Sequence, residues 1–466
     1  MDTKERILSW VKEHEREFVE DLGRLIEVDS AKGEAKDGMP FGEGCARVLS
    51  VMEDIMEKRG FVPENDENYA IHTDLNDKEL GLGILAHLDI VPVGDGWDYD
   101  PLKLSEDEDN LYGRGTSDDK GPALAGLYAL RYVRELGLPV NKNARLILGA
   151  DEECGSSDLR HYFAKYPVPP MMVTPDADYP IINIEKGGVH CKGTAKLPAE
   201  AVLPRVDWVN AGIKINVVPA TAKAKVLGMS KEEVERFFEE AEKETRATFK
   251  AETDGNGVVI TSFGVNAHAS TPEGGNNALT ALNHLLCKLP LQGKAAGLLK
   301  NLYTIFPHGD FYGKAAGVAM EDEVSGKLTM TLDMLFVDEN GIRAEADCRA
   351  PVCATEENLV KVMEKAYADA GFVMEGGQKP EPHYVPADTP LVHNLLDIFT
   401  EYTGTKGECI AIGGGTYVHH FENGVAFGPV MPGVNTHLHG ANEFMPKKDL
   451  WITIAMYAQA IANLCV

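Results

Sequence analysis

The chain has 466 residues, 44% of them apolar and 25% charged, which describes a globular protein long enough for two or three domains. Its net charge of −28 repels phosphate backbones and anionic lipid headgroups, so roles on nucleic acid or at a membrane surface are excluded. Eight cysteines without a CxxC pair argue against a disulfide scaffold or a structural zinc knuckle and fit a reducing compartment.

Residues 5–27 place Ile7, Val11, Phe18, Leu22, Leu25 and Ile26 at helical spacing among charges, and residues 45–56 repeat the pattern. The charged first residues offer no apolar core, so no signal peptide is expected. The longest apolar stretch, residues 81–94, is interrupted by His87 and Asp89 and is too short to span a bilayer, so a cytoplasmic protein is expected. Residues 82–91 read as a buried strand. Residues 120–136 read as a helix, with Pro122 in the first turn and Gly137 after the end. A strand at 144–148, a helix from 157 to about 166, and short strands at 171–173 and 181–184 follow. From 187 to 383 the style changes. Strand-like runs such as 258–261 and 327–332 alternate with helices at 231–244, 278–289 and 356–370. After 383, a helix at 391–402, a strand at 410–412 and a helix at 450–464 return to the first style. The expected fold is an α/β catalytic domain with a mostly parallel sheet flanked by helices, split into 1–186 and 384–466 by an inserted α+β domain, 187–383.

Polar residues interrupt this pattern at the predicted strand ends. His87 and Asp89, two apart, are expected on one face of a strand. Asp118 and Asp119 precede a helix, Asp151, Glu152 and Glu153 follow a strand, Asp176 follows another, and residues 437–443 run His-Leu-His-Gly-Ala-Asn-Glu. In an open α/β sheet the loops beyond the carboxyl ends of the strands converge on one crevice. Each cluster alone has a plain reading: a buried core histidine, acidic residues drawn to a helix N-terminus, a solvated acidic loop. Together, in distant segments that all end at strands, they describe a metal site. Two imidazoles and three carboxylates without a thiolate suit zinc, manganese or cobalt. Five ligands exceed the needs of one open catalytic ion and suit two ions bridged by a carboxylate.

These residues resemble the M20 family of co-catalytic metallopeptidases, and most closely its bacterial dipeptidases. The resemblance is carried by Leu85-Ala-His-Leu-Asp-Ile-Val-Pro92, Tyr112-Gly-Arg-Gly-Thr-Ser-Asp-Asp-Lys-Gly121, Asp151-Glu-Glu153, Thr174-Pro-Asp176 and His439-Gly-Ala-Asn-Glu443. Asn216-Val-Val-Pro219, Ala267-His-Ala-Ser270 and Asp347-Cys-Arg349 extend it through the insertion. It implies that His87 and Asp176 bind one ion, Glu153 and His439 the other, and that Asp118 bridges them with Asp119 as a neighbour. Asp89 would orient the His87 ring. Glu152 would be the general base. Asn216 and His268 would reach the substrate and its developing oxyanion, and Arg349 would pair with the substrate carboxylate. The insertion would be a doubled lid that imitates within one chain the dimer of simpler relatives, so a monomer is expected.

The resemblance thus implies a dipeptidase with two divalent ions per chain, zinc first and manganese or cobalt next. A metal-bridged water would attack the peptide bond with Glu152 as base. The partner expected is a small dipeptide substrate. The alternatives are an M20-type amidohydrolase acting on N-acyl amino acids and a metal-dependent peptide-binding protein without turnover. The pairing of Glu152 with the ligand Glu153 favours catalysis, because a pure binder needs no base.

Overall fold

A computed structural model describes residues 3–375 and 379–466. The chain divides into two compact units, one formed by residues 1–184, 384–410 and 415–466, the other by 185–383 with 411–414. Each has its own apolar core.

The first unit is built on a mixed sheet. Its centre runs Asn143–Gly149, Leu80–His87, Met172–Thr174, Gly424–Ala426, all parallel. Antiparallel strands Ala70–Asp74 and Glu64–Asp66 extend one side, and Ile182 pairs antiparallel with Ala426 on the other. From Gly81 to its end, the strand Leu80–His87 is buried, as a central parallel strand must be when helices cover both faces. The helix Lys120–Glu135 approaches this sheet closely: a Cβ on Gly126 would lie 3.1 Å from Leu146 and 3.2 Å from Ile84, so only glycine fits there without a shift. The helix Lys447–Leu464 packs on Lys120–Glu135 and on Thr3–Ile26. Fully buried residues such as Phe18, Leu22, Leu124 and Ile454 fill these contacts, each adding about 1.5–3 kcal/mol. Asp21, buried on the first helix, accepts from Arg59 at 2.7 Å and from Tyr128 at 2.8 Å, which keys three helices together.

The second unit carries an eight-stranded antiparallel sheet in the order Thr248–Asp254, Gly257–Phe263, Thr221–Leu227, Arg205–Ala211, Thr329–Val337, Gly341–Ala350, Gly187–Lys196, Val373–Glu375. The helices Ala278–Lys288 and Gly293–Ile305 pack on one another and on this sheet. Its two halves meet in a short ladder, Val209 to Ala211 against Leu335 to Val337.

Two expectations are corrected. The strand Leu80–His87 ends at His87, so Asp89 lies beyond it and does not share its face by strand alternation. Residues 231–244 form two helices, Lys231–Glu235 and Phe238–Thr245, because Phe237 N–H bonds the Val234 carbonyl three residues back and breaks the helical ladder. Among the described residues no helix is long and apolar enough to cross a membrane.

Candidate metal centre

The parallel pairing of Leu80–His87 with Asn143–Gly149 and Met172–Thr174 sets three carboxyl ends side by side. His87 is the last residue of the central strand. The short turn Glu152–Cys154 follows the second strand, and Asp176 follows the third. Asp118 lies just ahead of the helix Lys120–Glu135. The strand Phe444–Pro446 pairs with Asn110–Tyr112 and so draws residues 437–443 toward residues 113–118.

The side chains converge on Asp118. Its Oδ1 is 3.0 Å from His87 Nε2, and its Oδ2 is 2.9 Å from His439 Nε2. Asp176 Oδ2 is 3.6 Å from His87 Nε2, and Glu153 Oε1 is 3.2 Å from His439 Nε2. Among the described residues two ligand groups result, His87/Asp118/Asp176 and Asp118/Glu153/His439, each with its donor atoms within 4.8 Å of one another. Asp118 belongs to both. Asp119 faces another way: its Oδ2 accepts the His87 backbone N–H at 3.0 Å. Asp119, the N-cap residue of the helix behind it, makes no side-chain cap bond.

Positions within the cluster are fixed by neighbouring groups. His87 Nδ1 is 3.0 Å from the Asp89 carbonyl, which can only accept, so Nδ1 carries a proton and Nε2 is left to face Asp118 and Asp176. The Asp89 carboxylate, 3.4 Å from the same nitrogen, accepts the backbone N–H groups of Glu152 at 3.2 Å and Glu153 at 3.1 Å. It therefore holds the turn that carries both glutamates.

The electrostatics describe a cluster in want of positive charge. Burial disfavours a charged His87 ring, yet Asp118, Asp176 and Asp89 outweigh it and raise its pKa well above the ordinary value. The carboxylates of Asp118 and then Glu153, beside its Nε2, lift His439 to about 10. Burial pushes Asp176 up to about 6 and Asp119 well above the usual carboxylate range. Burial also opposes charge on Asp118, but His439 and His87 hold it well below that range. Glu152 is driven upward by burial and then by Asp176. Divalent ions would meet the same demand. His87 Nε2 and Glu153 Oε1 are buried and lie 3.0 and 3.2 Å from Asp118 and His439 without the alignment of a hydrogen bond, as metal-directed atoms do, and the donor set of imidazole and carboxylate fits zinc, manganese or cobalt.

The three residues expected to hold substrate lie in the second unit. Asn216 has a left-handed backbone, φ +71°; its N–H donates to the buried Asp333 at 2.9 Å, and its carbonyl accepts from Ala269 at 2.9 Å. Val217 pairs with His268, so Asn216 and His268 sit on one small ribbon. Arg349 engages the Asp347 carboxylate through Nε at 2.7 Å and the Gly413 carbonyl through Nη1 at 2.6 Å.

Two residues within these motifs, Arg114 and Glu443, have no role that sequence reasoning assigns. Glu443 is fully buried and accepts from Gly115, Ser117, Asp118 and Arg114; Arg114 is buried too. A carboxylate and a guanidinium far apart in sequence give no periodic signal. Only their membership of two glycine-containing motifs could have flagged them.

The sequence profile described as peptidase family M20/M25/M40 matches residues 83–463, which takes in every ligand candidate and all three residues of the second unit. The chain belongs to that family. A Beta-Ala-Xaa dipeptidase from Lactobacillus delbrueckii subsp. lactis is 34% identical over 453 residues, 96% of each chain. Human carnosine dipeptidase 1 has a similar fold, with a TM-score of 0.61 at 14% identity over 100% of this chain and 99% of that one. The di-peptidase Dug1p of Saccharomyces cerevisiae gives 0.60 at 12% identity over 99% of each. An M20/M25/M40 chain thus presents, at the strand ends of its first unit, a cluster able to hold divalent ions.

Proposed function

We propose that this chain is a metal-dependent dipeptidase that hydrolyses the peptide bond of free dipeptides. The observation that carries the reading is Asp118, whose two oxygens face His87 at 3.0 Å and His439 at 2.9 Å, the arrangement of a carboxylate that bridges two ions. His87 and Asp176 would hold one ion, Glu153 and His439 the other, with zinc first and manganese or cobalt as alternatives. Bound ions supply Lewis acidity, polarising the scissile carbonyl and making water a better nucleophile at neutral pH.

The chain's own residues do the rest. Glu152 takes a proton from the attacking water and passes it to the leaving amine; its buried, carboxylate-rich surroundings favour a group that can hold a proton. Asp89 keeps Glu152 in place through the N–H of the turn and keeps the His87 ring oriented. Asn216 and His268 are proposed to meet the developing oxyanion, and Arg349 the substrate carboxylate. With Nε and Nη1 of Arg349 already engaged, the carboxylate would be read through Nη2. The name of the Lactobacillus relative supports the substrate class.

The test compares free dipeptides, the same dipeptides amidated at the C-terminus, and N-acetyl amino acids. Protein stripped by a chelator and resupplied with Zn²⁺, Mn²⁺ or Co²⁺ should cleave free dipeptides and cleave the amides about 30-fold more slowly or worse, the loss of one buried charge pair. Faster cleavage of N-acetyl amino acids would make the chain an amidohydrolase. Equal rates on dipeptides and their amides would remove Arg349 from the substrate site.

A further inference from the structure

The two halves of the ligand cluster are supported differently. His87 ends a central strand, its ring nitrogen meets the Asp89 carbonyl at 3.0 Å, and its backbone N–H is held by Asp119 at 3.0 Å. His439 has no such frame. It sits in a loop, its side chain is 49% exposed, and its backbone has φ +59°, a left-handed conformation that a side chain disfavours. His437 and Asn442 share that conformation at +59° and +60°. A loop with three such residues keeps its shape only if something outside it specifies that shape.

Glu443 and Arg114 meet that need. Glu443 Oε1 accepts from Gly115 N at 3.0 Å, Ser117 N at 3.0 Å, Ser117 Oγ at 3.2 Å and Asp118 N at 3.3 Å. Its Oε2 accepts from Arg114 Nη1 at 2.5 Å. Arg114 Nη2 then donates to the Gly440 carbonyl at 3.1 Å, next to His439, and lies 3.4 Å from the Val93 carbonyl. The contacts form a closed loop. The segment that carries Asp118 is fastened to Glu443, and the arginine of that segment returns to the residue beside His439.

We infer that Glu443 is the positioning residue for the ion held by Glu153 and His439, fixing the separation of Asp118 and His439 through residues 114–118. The inference rests on the two-ion reading above. It predicts an asymmetry: loss of Glu443 weakens that ion and spares the one at His87 and Asp176, which Asp89 and Asp119 support independently.

The test is a Co²⁺ titration of the chelator-stripped full chain, followed by visible absorption and equilibrium dialysis, with no activity assay. Glu443→Gln turns an amide NH₂ toward either Arg114 or the N–H groups of 115–118, donor against donor. One of the two ions should bind about 10–100-fold more weakly while the other keeps its affinity. The spectrum of the retained ion should match that retained by His439→Ala. Because Glu443→Gln leaves Arg114 buried without its counter-charge and risks misfolding, Ser117→Ala provides a second probe. It leaves the ion pair intact, removes one donor to Oε1, and should weaken the same ion about fivefold, the worth of one hydrogen bond. Two ions of unchanged affinity in both variants would overturn the inference, as would equal loss of both ions. If Glu443→Gln fails to fold, selective weakening in Ser117→Ala supports the inference and unchanged binding overturns it. A wild-type chain that takes up fewer than two ions defeats the two-ion reading itself, an outcome distinct from the others.

Discussion

Glu152 and Glu153 are neighbours in one short turn, yet their carboxylates keep different company. Glu153 Oε1 meets His439 at 3.2 Å and is buried, whereas Glu152 belongs to neither ligand group. Both backbone N–H groups rest on Asp89, so replacing one carboxylate leaves the turn anchored. Glu152→Gln keeps size and shape and removes the negative charge and the capacity to take a proton. It should lower kcat on a dipeptide by about 10²–10⁴-fold and leave ion content unchanged by elemental analysis. Parallel loss of ions and activity would make Glu152 a ligand. The same scale shows why sequence left the adjacent aspartates hard to separate. Asp118 and Asp119 carry the same side chain in the same motif, and what distinguishes them is direction: one faces two imidazoles, the other the His87 backbone. Direction is set by the local backbone path, which motif spacing does not encode.

At the scale of elements, the long helices and central strands were legible because their apolar spacing is strong and their neighbours cover both faces. The helix Gly293–Ile305 has no place among the elements predicted from sequence: its first turn is Gly-Lys-Ala-Ala, and its N-cap Gln292 makes no side-chain cap. Asp89 was expected on a strand that stops two residues earlier, since alternation says which face a residue takes but not where pairing ends. Packing between elements also makes a pH prediction. His72, on the edge-side strand Ala70–Asp74, is buried against Tyr162 and Tyr166, with ring centroids 5.6 and 4.8 Å away. Burial, then Arg145, lowers its pKa from 6.5 to about 4. Between those values the unfolded chain binds a proton that the folded chain refuses. His72 therefore costs nothing above the unfolded pKa and destabilises increasingly as pH falls toward the folded one. Relative to wild type, His72→Phe should gain about 2 kcal/mol of unfolding free energy on going from about pH 8 to about pH 5. Denaturant unfolding at both pH values checks this; a difference that does not change with pH would mean that His72 titrates normally.

For the whole molecule the open question is whether one chain suffices. The second unit supplies both halves of its eight-stranded sheet from one chain, joined over the ladder of Val209 to Ala211 with Leu335 to Val337. A partner is therefore not needed to complete that sheet. A net charge of −28 further opposes association of identical copies at low ionic strength. The expected outcome is a monomer, with His268 proposed to serve its own chain. Mixing tests the point. Glu152→Gln lacks the proposed base and His268→Ala lacks the proposed oxyanion contact, so each alone should be nearly inactive. If every chain uses its own residues, any mixture of the two stays inactive, because no chain carries both groups. If residues are shared between copies, one arrangement in the mixed dimer would unite an intact Glu152 with an intact His268 and activity would return. Rates measured after co-refolding or prolonged incubation, with light scattering to report mass, separate the cases. Recovered activity, or a stable dimer in the active wild type that dissociates only with loss of turnover, would defeat the single-chain reading.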